Sequence, residues 1–222
     1  MPLSNRITEL SKRNQFVSLV EPLEETIDMV HSGKSLQIRF GINNGIVEHF
    51  KVFGVLSTMN KAVVEAIGSL YLNKAFWKLG QIDERELRNF LQDQNDKAPF
   101  PKELDTEFSE LLALFPVAVK KTILNLVCPT VVENNEDKSR AHGLIETLEG
   151  LKDHFNKVLL PHLGKTTGFK SLYHWDPPVL TILKNSQDLG ENRFLNELLE
   201  EVYLVSLGIT HLKLVAVEEK SI

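Results

Sequence analysis

Residues 46–79, IVEHFKVFGVLSTMNKAVVEAIGSLYLNKAFWKL, form the most apolar stretch of the chain, and they constrain its fold more than any other segment. At about 100° per residue, Val52, Val55, Leu56, Met59, Val63, Ala66, Ile67, Leu70 and Trp77 fill one wide arc of a helix. Phe50, Val64, Tyr71 and Phe76 fall outside that arc, so the helix is apolar nearly all round. Such a helix has to be covered by other elements, which makes this stretch the hub of the fold. Gly54, Ser57 and Gly68 are the points where it bends or divides. Glu48, Lys51, Asn60, Lys61, Glu65, Asn73 and Lys74 interrupt it too often for a membrane span.

The flanking segments carry mostly helical signals. Ser4 is placed to cap a helix, and LEETIDMVHSG continues in helical spacing to a stop at Gly33. Asp83 caps another helix, with Glu86 completing a capping box. Residues 104–127 are expected to be helical with a break near Pro116. Residues 139–160 form a helix ended by Pro161, and 177–186 and 191–207 form two more. The segment from 162 to 176 is expected to be an irregular connection. Leu36, Ile38 and Phe40 alternate with Gln37 and Arg39, which is a strand pattern, and Asn44-Gly45 signals either a hairpin or a helix cap. The expected fold is therefore mainly α: one compact multi-helix domain over 1–222 around a central helix at about 46–79. It has room for a small β element pairing 35–40 with 209–217, and weak subdivisions near 95–103 or 128–139.

Composition narrows the function. With 25 Lys and Arg against 30 Asp and Glu, the formal net charge is −5. An acidic chain lacks the basic surface that general nucleic-acid or anionic-lipid binding requires. Cys128 is the only cysteine, which fits a reducing compartment, and the N-terminal residues lack the apolar core of a secretory signal. The reading is cytoplasmic. No phosphate loop, nucleophile elbow, HExxH, CxxC or GxGxxG occurs. The string IRFGINNGIV resembles a hairpin of the class III nucleotide cyclases over about ten residues. That reading is set aside because no matching aspartate lies upstream. LGQIDERELRNF is similar to the second half of an EF-hand loop, but Ala75, Trp77 and Leu79 occupy the positions of its first three oxygen ligands.

Three sets of residues merit weighing as sites. His142, Glu146, Glu149 and Asp153 share one helical stripe, and His142 with Glu146 is the pair spaced to chelate a metal. Leu144, Leu148, Leu151, Phe155 and Val158 lie opposite, however, so the stripe reads as a solvated face. AHGLIETL also has the cadence of the histidine box of two-component phosphotransfer proteins, without that family's usual continuation. Tyr173, His174 and Trp175 are candidates for a partner surface, because Tyr and Trp supply much interface energy. Phe50, Phe53, Tyr71, Phe76 and Trp77 are candidates to wall a cavity for an apolar ligand. The function expected is a cytoplasmic helical interaction or regulatory protein that binds another macromolecule, a protein, with no cofactor. The alternative is a carrier or enzyme that holds an apolar ligand or a metal between helices.

Overall fold

The computed structural model describes residues 3–19, 27–31, 33–93, 98–128, 148–163, 168–176, 179–184, 193–207 and 213–218. They form a mixed α/β architecture with a four-stranded and a three-stranded sheet, which overturns the mainly α expectation. The residues group into two compact units, 1–42 with 46–122, and 43–45 with 123–222.

The first unit begins with α1 (Asn5–Leu10), capped by Ser4, whose Oγ accepts from the Ile7 amide at 3.1 Å. Four strands follow: β1 (Val17–Ser18), β2 (Ile27–His31), β3 (Lys34–Asn43) and β4 (Ile46–Phe53). Their order across the sheet is β1-β4-β3-β2, with β2 antiparallel to β3 and β1 parallel to β4. Asn44 and Gly45 connect β3 to β4 with φ of 48° and 76°. Two successive positive φ values define the type I′ turn whose twist matches a hairpin, and Asn-Gly is the pair that adopts it at least cost. The hairpin reading of Asn44-Gly45 therefore holds, and the helix-cap alternative does not.

The expected hub helix is divided. Its first eight residues are β4, residues 58–71 are the helix α2 (Thr58–Tyr71), and Phe76–Gln81 is a 3₁₀ turn. An apolar run of eight fits a helical arc and a buried strand equally well, and pairing with β3 and β1 decides for the strand. LEETIDMVHSG is likewise not a helix where it is described: Ile27–His31 pairs with β3, with Ile27 opposite Ile38 and Met29 opposite Leu36. These four side chains, with Phe40, Phe50, Val52 and Val17, make the buried face of the sheet.

α2 supplies Met59, Ala62, Val63, Ala66 and Ile67 to the core. Phe50 is its aromatic centre, stacked on Phe40 at 5.5 Å and tilted against Phe16 and Phe115 at 5.7 Å each. α3 (Glu84–Leu91) is capped by Asp83, which accepts from the Arg85 and Glu86 amides. Glu86 does not complete a capping box; its carboxylate accepts from the Tyr71 hydroxyl at 3.2 Å. α4 (Asp105–Val127) runs through Pro116 without the expected break. Arg88 ties α3 to α4: it pairs with Glu84 and Asp105 at 2.8 and 2.9 Å while its guanidinium lies over the rings of Phe100 and Phe108.

The second unit holds the helical run α5 (Leu148–His154), a π turn (Phe155–Leu159) and α6 (Leu160–Leu163), which continues past Pro161. Leu151, Phe155, Leu159 and Leu163, four residues apart, are fully buried. β5 (Phe169–Asp176) and β6 (Val179–Lys184) are antiparallel neighbours, and β7 (Lys213–Glu218) pairs parallel to β6. α7 (Arg193–Leu207) makes the crossover between β6 and β7 that parallel pairing demands. Two expectations fail here. Residues 179–184, expected within a helix, are β6, and residues 169–176, expected to be irregular, are β5. Asp176 with Pro177 fits a helix start locally, but VLTILK is a β-favouring run whose Leu180 and Ile182 are buried between two strands. Among the described residues the expected pairing of 35–40 with 209–217 does not occur either. β3 lies between β4 and β2, and β7 lies beside β6.

Candidate functional site

The edge of β4 is occupied at both ends. At its start Val47 exchanges backbone bonds with Asn73 and Lys74, at 2.8 and 3.0 Å. Near its end the Val52 amide donates to the Phe16 carbonyl at 2.8 Å, where β1 begins. Between these anchors, Glu48 to Lys51 have no strand on this side among the described residues. The alternation also shifts here. Val47 is buried, Glu48 and His49 are both exposed, and Phe50 and Val52 are buried, the signature of a local bulge that re-aims side chains.

A pocket of about 470 Å³ opens along this gap, lined by Gln15, Phe16, Arg39, Glu48, His49, Phe50, Lys51, Phe53 and Leu72. Its apolar side is built from Phe16, Phe50, Phe53 and Leu72. Its polar side carries Arg39, His49 and Lys51 against Glu48, so it is net basic although the chain is acidic. Two close approaches fix its walls. A Cβ at Gly41 would stand 3.0 Å from the His49 ring, so the imidazole lies directly over the β3 backbone. A Cβ at Gly68 would stand 2.3 Å from the Phe16 ring, which rests on the backbone of α2. The Phe16 amide donates to Glu65 Oε1 at 2.8 Å. Glu65 is fully buried, and its Oε2 has no partner among the described residues.

A second polar cluster holds β2 to the helices. Asn60 Nδ2 donates to His31 Nε2 at 2.9 Å and to Glu107 Oε1 at 2.7 Å, and Ser57 Oγ donates to the same Glu107 oxygen at 2.9 Å. Because an amide nitrogen only donates, His31 Nε2 is the acceptor in this contact. Both amide hydrogens of Asn60 are used, and His31 and Asn60 are 5% and 2% exposed. Asn60 Oδ1 has no partner among the described residues, and the bonds of its nitrogen make the cluster a latch between β2, α2 and α4.

The structure separates the expected site residues. Phe50 and Phe53 reach the pocket, but Tyr71 and Phe76 are core residues at 4% and 0% exposure. Trp77 is half-buried, with Lys78 Nζ over its ring at 5.7 Å. Burial pushes the Tyr71 hydroxyl up to about 12, with Glu86 adding to the rise and the Asp83 amide opposing it. Tyr173, His174 and Trp175 lie on β5, not in a loop, and Tyr173 and His174 are exposed. His142 and Glu146 lie outside the described residues. Among the described residues no three His, Cys, Asp or Glu side chains gather as metal ligands. Cys128 is half-buried, its thiol directed at the Val202 carbonyl at 3.9 Å. The basic members of the pocket, Arg39 and Lys51, do not stand out in the sequence as site residues. Their one local signal is the alternation of basic with apolar residues along RFGINNGIVEHFKVF.

No protein-family model matches the chain, and no curated protein matches it. A solved structure similar to part of it is a nitrogen-fixing NifU-like protein (N-terminal) from Brucella abortus. The match has 15% identity and a TM-score of 0.31, over 54% of this chain and 83% of that one. A likeness at that level carries no argument about fold or function. No helix among the described residues is long and apolar enough to cross a membrane.

Proposed function

We propose that this chain is a non-catalytic interaction protein of the cytoplasm that takes an extended segment of a partner protein beside β5. One observation carries the reading. β5 is the outer strand of its sheet, pairing among the described residues with β6 alone, and it presents Tyr173 at 46% exposure with His174 exposed next to it. Consecutive side chains of a regular strand point to opposite faces. The register shift between Leu172 and His174 relaxes that alternation while Leu172 stays buried. An outer strand has backbone donors and acceptors on its open side, and an added strand satisfies them in register. A tyrosine on the same strand supplies a large contact area at low conformational cost.

The test is a photo-cross-linking amino acid placed at position 173 in cells, with Val205 as the control. Val205 is 58% exposed on α7, so general surface encounter labels it as readily. One discrete protein adduct at 173, lost when Leu172 is replaced by proline and absent at 205, is the expected result. Equal labelling at both positions, or none at 173, refutes the proposal.

A further inference from the structure

We infer that the pocket along the β4 edge is a binding site for a small organic anion: a flat apolar body on Phe53 and Leu72, with its carboxylate or phosphate on Lys51 and Arg39. Size argues for a small ligand. About 470 Å³ lies within the range of small-molecule sites. The open edge spans only Val47 to Val52, roughly 17 Å at about 3.3 Å per residue. It is closed by Asn73–Lys74 at one end and Phe16 at the other, which leaves no room for a long added strand.

Charge selects the anion. Lys51 Nζ donates to the Gln15 carbonyl at 3.1 Å, and among the described residues no carboxylate meets its charge. A cation satisfied by a neutral carbonyl at the rim of an apolar hollow gains most from an incoming anion. Strand geometry adds a donor. The Val52 amide points to this edge, and residues two apart along a strand point the same way, so the Phe50 amide faces the pocket as well. Glu48, on the same rim, repels a second anionic group and accepts from a hydroxyl or amine on the ligand. The site belongs to the first compact unit and does not depend on β5.

The test is amide chemical-shift titration of the full chain with four probes: phenylacetate, phenyl phosphate, benzyl alcohol and acetate. Phenylacetate or phenyl phosphate should give saturable shifts at Phe50, Lys51 and Phe53. The stronger of the two identifies the anion. Benzyl alcohol, which lacks the charge, and acetate, which lacks the ring, should each bind at least about fivefold more weakly. Lys51→Met and Arg39→Gln should each weaken the anion by about fivefold, the scale of an exposed charge contact. Lys51→Arg should restore it, and added salt should weaken it. Absence of saturable shifts with both aromatic anions, equal affinity for benzyl alcohol, or shifts centred elsewhere in a folded protein would each overturn the inference.

Discussion

Gly68→Ala tests the packing under the pocket, because its sign alone separates two pictures. At an open helical position, alanine for glycine stabilises by about 1 kcal/mol, since the free chain loses less backbone freedom. Here the new methyl stands 2.3 Å from Phe16 Cγ and Cδ2 and 2.6 Å from Cδ1. Carbon atoms pack at about 3.5–4.0 Å, so the ring has to withdraw by more than about 1 Å. Phe16 is only 4% exposed, its ring is held against Phe50, and its amide is bonded to Glu65. Overpacking of a filled site costs about 1–3 kcal/mol, and disturbing the bond from the Phe16 amide to Glu65 costs roughly 0.5–1.5 more. Set against the helix gain of about 1 kcal/mol, the net expectation is a loss of about 0.5–3.5 kcal/mol, read as a lower urea midpoint with an unchanged slope. In a Phe16→Ala background the obstacle is gone, and the same Gly68→Ala step should turn stabilising, a coupling that a double-mutant cycle measures. A gain of about 1 kcal/mol from Gly68→Ala in the otherwise native chain would show that Phe16 does not rest on α2.

Four further outcomes concern side chains buried within one or the other unit. Glu65→Gln keeps an acceptor for the Phe16 amide in a side chain of nearly the same volume, so it should stay within about 1 kcal/mol of the native protein. Glu65→Ala should lose about 2–4 kcal/mol in thermal or urea unfolding, and similar losses for both would refute the assigned role. Asn60→Ala opens the latch to His31 and Glu107, costs about 2–3 kcal/mol, and should speed amide exchange in β2 more than in β4. Tyr71 is raised to about 12 and Tyr203 is raised further by burial, so both stay protonated in the fold after the unfolded chain ionises near pH 10. Their stabilisation is complete below pH 10 and falls above it, by roughly 1.4 kcal/mol per pH unit per tyrosine; Tyr71→Phe should lessen the decline between pH 10 and 12. Leu151→Ala or Phe155→Ala should cost about 2–5 kcal/mol, while Glu149→Ala, on the exposed side of the same helix, should change stability by no more than about 0.5, all measured by denaturant unfolding.

The parts of the fold legible in the sequence are those fixed by neighbours in the chain. Ser4 and Asp83 cap helices because a side-chain oxygen reaches an amide two or three residues on. Asn44-Gly45 turns because those two residues tolerate positive φ. α4 and α7 carry their helical period over many turns, and Leu151 and Phe155 face inward because they lie opposite the charged stripe. What the sequence left open was decided by contacts distant in the chain. IVEHFKVF fits a helix by angle and a strand by pairing, and only β3 on one side and Phe16–Ser18 on the other choose between them. IDMVH and VLTILK became strands for the same reason: a short apolar run has no preference strong enough to outweigh a row of hydrogen bonds to a neighbouring strand. The pocket shows the same division. Phe50 and Phe53 stand out locally as aromatic residues in an apolar run. The arrangement that makes them part of a basic hollow exists only because β1 stops short of covering β4, bringing Gln15 and Phe16 to the edge where Arg39, His49 and Lys51 already stand.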